Sequence, residues 1–191
     1  MTHHHARRMF PHDDEARREW QNPEAILADT GLAEGMTFAD IGCGQGFFAI
    51  PAARIVGPHG KVYALDIQSD SVEKLLETAR VEGLVQVVAQ SGPGETIVLC
   101  DACADIVFFG IDLHDFADAS AVLSNARAMI KPDGKLIDLD WKKEPMDIGP
   151  PVEIRFSEAT AMDLILGAGF TVDAVREAGP HHYMIVASPA P

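Results

Sequence analysis

The stretch ADIGCGQGF, residues 39–47, places Gly42, Gly44 and Gly46 at alternate positions after an apolar run that ends in aspartate. Glycine tolerates positive φ and lets a ligand approach the main chain, so such a turn brings backbone rather than side chain against a small molecule. The spacing is Gly-x-Gly-x-Gly. A dinucleotide fingerprint needs Gly-x-Gly-x-x-Gly, and its third position here holds Phe47, a ring where close helix–strand packing asks for none. Asp40 lies just upstream of the turn, where an anion repels a diphosphate and attracts an ammonium group. Asp66, 20 residues beyond Gly46, closes the next apolar run at the distance where an acid receives a ribose diol. Ribose plus ammonium without phosphate describes S-adenosylmethionine.

Further residues with chemical capacity come later in the chain. Asp112, His114 and Asp115 follow an apolar run directly. Histidine titrates near neutrality and carboxylate neighbours tune it, so His114 and Asp112 are the candidate general base or acceptor-orienting pair. The alternative is that Asp115 or Asp118 caps the next helix while His114 packs in the interior. Asp138, Asp140 and Trp141 end another run; alternation sends Asp140 and Trp141 to opposite faces, so at most one meets a substrate, and ordinary strand-end polarity competes. Cys100-Asp101-Ala102-Cys103 is a C-x-x-C without a second pair, ahead of a strand rather than opening a helix, so zinc or redox chemistry is not expected of it. His3, His4, His5 and His12 are read as a solvated terminus or expression remnant, and no metal site is expected.

The elements that must position these residues are legible as an alternation. Residues 36–41, 61–66, 84–90, 104–110 and 135–141 read as short, mostly apolar strands. Between them Val72, Leu75, Leu76 and Ala79, and then Val122, Leu123, Ala126, Met129 and Ile130, recur at helical spacing. Asn22-Pro23-Glu24 opens a helix that Gly31 ends, and Lys131-Pro132-Asp133-Gly134 reads as a strong turn. Strand–helix–strand in series implies parallel pairing with helices on both faces, a doubly wound α/β sheet whose ligands collect at the strands' carboxyl ends. The tail departs from the pattern: residues 157–168 read as a helix, then two strands follow without a helix between them, like a hairpin. The expected organisation is an appendage or lid over residues 1–21 and one domain over 22–191.

Composition narrows the function. A chain of 191 residues with a net charge of −14 repels nucleic-acid backbones and anionic membranes, and Arg7-Arg8 and Arg17-Arg18 are interleaved with acids. A small or cationic ligand is favoured, with no nucleic-acid and no membrane partner. No apolar run is long enough to span a bilayer, and three cysteines without a secretory leader fit a reducing cytoplasm. Monomer and homodimer are both compatible with this surface.

FADIGCGQG, VYALDI ending in Asp66, ADIVFFGIDLHDF and MIKPDGKLIDLDW together resemble the class I S-adenosylmethionine-dependent methyltransferases, in the small-molecule branch of ubiquinone/menaquinone-biosynthesis C-methyltransferase-like proteins. The resemblance runs from Pro23 to the C-terminus. It implies a seven-stranded Rossmann-like sheet with a final antiparallel hairpin. It also implies that Asp40 and the Gly42, Gly44 and Gly46 backbone hold the methionine end, that Asp66 takes the ribose hydroxyls, and that Ile67 packs on adenine. Ser91 and Gly92 are the positional candidates near the adenine edge, where an acid is common in the family and absent here; Gly110 and Ile111 would line the methionine pocket. The segment before the first strand often folds over the cofactor in this family, so Trp20 either covers the pocket or anchors the N-terminal helix. The expected activity is methyl transfer to a small molecule, releasing S-adenosylhomocysteine. A nicotinamide-dependent oxidoreductase and a non-catalytic partner subunit that keeps the cofactor pocket are the rivals.

Overall fold

The computed structural model describes residues 17, 18 and 20–191. The histidine cluster, and with it most of the expected lid, lies outside the described residues. In chain order the elements are α1 (Pro23–Thr30), β1 (Thr37–Ile41), α2 (Ala49–Val56), β2 (Lys61–Asp66), α3 (Ser69–Glu82), β3 (Val87–Ser91), β4 (Ala104–Gly110), a 3₁₀ turn (Leu113–Asp115), α4 (Ala119–Met129), β5 (Ile130–Trp141), α5 (Glu158–Gly167), β6 (Phe170–Ala178) and β7 (His182–Pro189). They build one seven-stranded sheet in the order β3-β2-β1-β4-β5-β7-β6. The first five strands run parallel; β7 is antiparallel to both β5 and β6. The order reverses between β1 and β4, the place where open α/β sheets leave a crevice for ligands.

Local chemistry explains the boundaries. Asn22 caps α1 by accepting from the Ala25 N–H at 3.0 Å, Pro23 occupies the first turn, and Gly31 closes the helix at φ 85°. Ser157 and Asp118 cap α5 and α4 in the same way. Two expected edges move. β3 begins at Val87 rather than Leu84, because the Gly83 cap of α3 draws Leu84 back onto the Ala79 carbonyl at 2.8 Å. β5 begins at Ile130, so the expected 131–134 turn is not a break but an irregularity within the ladder, where Ile130 pairs with Ala104 and Lys135 with Ile106. That segment is held against β4: Lys131 Nζ reaches Asp105 Oδ1 at 2.7 Å, and a Cβ on Gly134 would press on the carbonyls of Ala104 and Asp105.

The pleat sorts side chains into two apolar layers. On one face Phe38, Val62, Ile106, Phe108, Ile137, Leu139 and Trp141 meet Leu27 of α1, Ala52, Ala53 and Val56 of α2, and Leu75 of α3. On the other, Ala39, Ile41, Leu65, Val107, Phe109, Leu136 and Ile185 meet Val122, Leu123 and Ala126 of α4 and Ile165 of α5. Both faces are covered, as parallel strands require. Trp20 lies 5.4 Å from the Trp141 ring and stacks on His182 at 5.6 Å, so it anchors the chain ahead of α1 to the core. The cysteine pair differs from the reduced state read in the sequence: Cys100 and Cys103 are joined by a disulfide, and Cys43 is a buried free thiol. The disulfide precedes β4, roughly 20 Å along that strand from its carboxyl end.

Phe108 is fully buried between the Phe38 and Phe48 rings, at centroid distances of 5.6 and 4.8 Å. Phe108→Ala is expected to lower unfolding free energy by about 3–5 kcal/mol through lost transfer energy and a cavity, read as a shifted denaturant midpoint.

Candidate functional site

The carboxyl ends of β1, β2, β3 and β4 converge on the glycine turn. Gly42, Gly44 and Gly46 adopt φ of 81°, 52° and 95°. At Gly42 the requirement is spatial as well as torsional, because a Cβ would overlap the Asp112 carboxylate; at Gly46 it would overlap Leu75 of α3. The turn is tied down from β2. Gly42 and Cys43 donate to the Leu65 carbonyl at 2.7 and 3.0 Å, and Gly44 donates to Asp66 Oδ2 at 2.8 Å. The other Asp66 oxygen accepts from Gln68 N–H at 2.8 Å, at the start of α3.

Asp40 is 1% exposed and its Oδ2 has no hydrogen-bond partner. Burial first, and then the charge of Asp66, push its carboxyl up to about 7, against the opposing pull of Arg17 and of the Ala49 N–H. Asp112 is half-buried with both carboxylate oxygens buried and unpaired, and burial with the charges of Asp40 and Asp140 raises it well above the usual carboxylate range. Three carboxylates thus surround a side-chain-free turn. The cation that faces them is the Arg17 guanidinium, held 3.7 Å over the Phe47 ring. An unpaired buried carboxylate costs several kcal/mol, and the arrangement as it stands favours an added cation.

The remaining expected contacts line the same rim. Ile67, directly after Asp66, is 66% exposed, an apolar platform open to solvent. Ser91 pairs with Asp66 across β2 and β3, and Gly92 N–H donates to the Asp66 carbonyl at 2.9 Å. At the end of β4, Gly110 has no room for a Cβ against the Phe48 and Phe108 rings, and Ile111 takes φ 70° while donating to the Leu139 carbonyl at 2.6 Å. Left-handed backbone at a β-branched residue is strained, and it turns the chain so that Asp112 faces Gly42.

His114 lies two residues further on. Its Nδ1 sits 2.8 and 2.9 Å from the two oxygens of Asp140, and both side chains are sealed, at 1% and 0% exposure. The pairing with Asp140 was not read from the sequence; the available signal was an aspartate at alternate positions 138 and 140 of an otherwise apolar strand. Asp138 is fully buried, and Trp141 points to the opposite face and packs in the core. Of the two candidate helix caps, Asp118 caps α4, and Asp115 lies in the 3₁₀ turn. Beyond β5 the chain from 142 to 157 wraps around Arg155, whose five N–H groups donate to the carbonyls of Lys142, Glu144, Ile148 and Pro150 at 2.5–3.1 Å. Phe156 meets the His114 ring edge-on at 6.5 Å. Two surface clefts, of about 410 and 580 Å³, lie elsewhere, one beside Arg127 and Pro132 and one beside Asp29 and Glu177. Neither touches the turn. Cys100 and Cys103 stand at the opposite strand end, which removes them from this site.

Residues 32–153, more than half of the chain, match the methyltransferase-domain family. This chain belongs to it. The fold superposes on a SAM-dependent methyltransferase from Aquifex aeolicus with a TM-score of 0.88 and 34% identity, covering 93% of this chain and 95% of that one. Nocamycin O-methyltransferase from Saccharothrix syringae is 30% identical over 166 residues, 76% of this chain and 59% of that protein. Demethylmenaquinone methyltransferase from a Geobacillus species is 27% identical over 154 residues, 78% of this chain and 65% of that protein. The chain therefore spans about three fifths of the length of these curated relatives.

S-adenosylmethionine is the cofactor of this methyltransferase domain, and the residues present fit it: orphaned buried acids for a cation, a cradle that a Cβ would fill, an acid at the end of β2 and an exposed apolar side chain beside it. The raised Asp40 pKa has a consequence for the free protein. A carboxyl at 3.8 unfolded and about 7 folded makes this group's contribution to stability fall as pH rises between those values. Asp40→Asn is expected to gain on wild type by up to about 4 kcal/mol between pH 4 and pH 8, measured as paired denaturation curves across that range.

Proposed function

We propose that this chain binds S-adenosylmethionine on the glycine turn and transfers its methyl group to a small-molecule acceptor, releasing S-adenosylhomocysteine. The observation that carries the reading is a buried acid, Asp40, whose Oδ2 has no hydrogen-bond partner, beside three glycines and one β2-terminal acid, Asp66. The names of the relatives, an O-methyltransferase and a demethylmenaquinone methyltransferase, support a small organic acceptor.

The cofactor supplies a methyl carbon already activated by a sulfonium, so the protein's work is positioning and exclusion of water. Asp40 would face the ammonium group and the backbone of Gly42, Gly44 and Gly46 the amino-acid end. Asp66 spends two of its roughly four acceptor positions on the Gly44 and Gln68 N–H groups. Two remain for a ribose diol. Ile67 offers a face for adenine, Ser91 and Gly92 its edge, and Gly110 and Ile111 a wall for the methionine chain. His114 and Asp112 are assigned to the acceptor side: His114 as a general base or orienting group, and Asp112 as an acid turned toward Gly42.

The same reading puts the protein in the cytoplasm, away from nucleic acid, as a monomer or homodimer; the net charge of −14 supports the second of these. Among the described residues no helix is long and apolar enough to cross a membrane. A nicotinamide enzyme is disfavoured because Asp40 opposes a diphosphate and Phe47 occupies the third fingerprint position. A non-catalytic subunit that keeps the pocket would bind without turnover.

Calorimetric titration with S-adenosylhomocysteine tests the assignment. Asp66→Ala is expected to weaken binding roughly 100-fold, through two lost hydrogen bonds to a charged acceptor. At pH 6, where Asp40 is mostly protonated, an ammonium group placed beside it drives ionisation, so wild type releases up to about one proton per ligand and Asp40→Asn releases correspondingly less. Unchanged affinity in Asp66→Ala, or tighter binding of a nicotinamide dinucleotide, overturns the reading.

A further inference from the structure

We infer that Cys100 and Cys103 form a thiol–disulfide exchange site that opens and closes on the folded protein, and that its redox partner is a dithiol. The pair stands at the opposite strand end from the glycine turn, and the inference holds or fails independently of the methyl-transfer reading.

Three observations carry it. First, the disulfide is poorly suited to be a staple. It joins residues three apart in sequence, with Cα atoms 5.9 Å apart. A cross-link stabilises a fold mainly by restricting the unfolded chain, and that effect shrinks with the length of the loop it closes. Second, the loop keeps its path without the sulfur–sulfur bond. Ala102 and Cys103 donate their N–H groups to the Ala128 and Met129 carbonyls, both at 2.9 Å, and Leu99 N–H donates to Met129 Sδ at 3.3 Å. Those carbonyls end α4 and have no partner inside the helix, so the loop also caps it. Ala104, directly after the pair, is in register with Ile130 of β5. The two thiols of an opened pair are therefore held as neighbours, in position to close again. Third, the ring can be reached. Both cysteines are half-buried, and Asp101 and Ala102 between them are exposed. Ala102 takes φ 44°, a left-handed conformation uncommon for a residue with a Cβ, and it lines the cleft of about 410 Å³ shared with Arg127, Ile130, Pro132 and Pro189. Cys43, the remaining cysteine, is 5% exposed at the glycine turn and takes no part.

The same arrangement selects a dithiol. A thiolate attacks one sulfur of the pair, forms a mixed disulfide and expels the other cysteine as a thiolate. With a monothiol the expelled cysteine, held beside the mixed disulfide, displaces the adduct and restores the ring. A dithiol brings its own second thiol to the mixed disulfide: the partner's S–S bond forms, the bond to the protein breaks, and the second cysteine leaves. Two electrons pass from the dithiol to the pair, and the two protons that the dithiol gives up end on Cys100 and Cys103. The reverse steps reoxidise the pair at the expense of the partner's disulfide. A cycling pair also reconciles the disulfide with the reducing cytoplasm proposed above, where lasting cross-links are rare.

Thiol labelling of full-length wild type under native conditions tests the site. Protein prepared without reductant is treated with dithiothreitol, or with micromolar thioredoxin kept reduced by its reductase and NADPH, then quenched with N-ethylmaleimide and mapped by mass spectrometry. Cys100 and Cys103 are expected to label together while Cys43 does not, the opened protein is expected to keep a cooperative unfolding transition, and oxidised dithiothreitol is expected to abolish the labelling. Opening by thioredoxin assigns a protein dithiol as the partner; opening by dithiothreitol alone assigns a small one. Glutathione at equal thiol concentration is expected to give roughly a tenth of the labelling or less. Equal labelling by glutathione overturns the dithiol class. Labelling that requires denaturant, opening that unfolds the chain, or thiols that oxidised dithiothreitol leaves unpaired overturns the site itself, whether or not S-adenosylhomocysteine binds.

Discussion

Asp40 has neither water nor a full ionic partner, and the rest of the site is arranged around that deficit. A carboxylate removed from solvent must find a cation, accept several donors or take up a proton. Here the backbone donor available is the Ala49 N–H and the facing cation is Arg17 over Phe47, and the carboxyl rises to about 7. Asp112 and Asp66 deepen the negative potential rather than relieve it. At Gly42, Gly44 and Gly46 the turn that faces them offers main chain alone. An ammonium ligand repairs this electrostatic fault, and a diphosphate worsens it. That single difference separates this pocket from the dinucleotide sites that share its sheet.

The sheet makes such a site affordable. Its two apolar layers run through β1 and β4 and on across the other five strands, so strain at Ile111 and unpaired acids at the strand ends are borne by a core that extends well beyond the crevice. Alternation along β5 shows the division of labour within one strand. Ile137, Leu139 and Trp141 pack toward α1 and α2, while Asp138 and Asp140 face the layer that contains Tyr183. A strand buried on both faces has no inexpensive place for a carboxylate. Two of them on one face therefore need partners, and Asp140 has found its own in His114.

Much of this was legible from residues alone, because local rules and the global fold agree wherever a side chain serves the scaffold. Asn22, Gly31, Ser157 and Gly46 act as their types predict. What escaped the sequence was what depends on tertiary neighbours. The 131–134 segment has every mark of a turn, yet Lys131 and Gly134 are captured by β4 and the ladder passes through them. The His114–Asp140 pair joins residues 26 positions apart on different elements, and no spacing rule links them. The glycine turn could be read because its constraint is intrinsic to glycine; the dyad could not, because histidine and aspartate are ordinary residues until the fold sets them 2.8 Å apart.

The segment after β5 follows the same logic. The 142–157 segment follows β5, and what gives it shape is one guanidinium reading four backbone carbonyls. Carbonyls are present whatever side chains the segment carries. Arg155, 2% exposed and set over the Trp141 ring at 5.5 Å, therefore fixes the path of the loop without constraining its surface. Ile154 on the same segment is 43% exposed. The arginine does not hold the loop alone: Gly149 takes φ 91° with no room for a Cβ against the Trp141 ring, and Lys143 Nζ donates to the Arg155 carbonyl, so the segment's path rests on the guanidinium, one glycine and one lysine together.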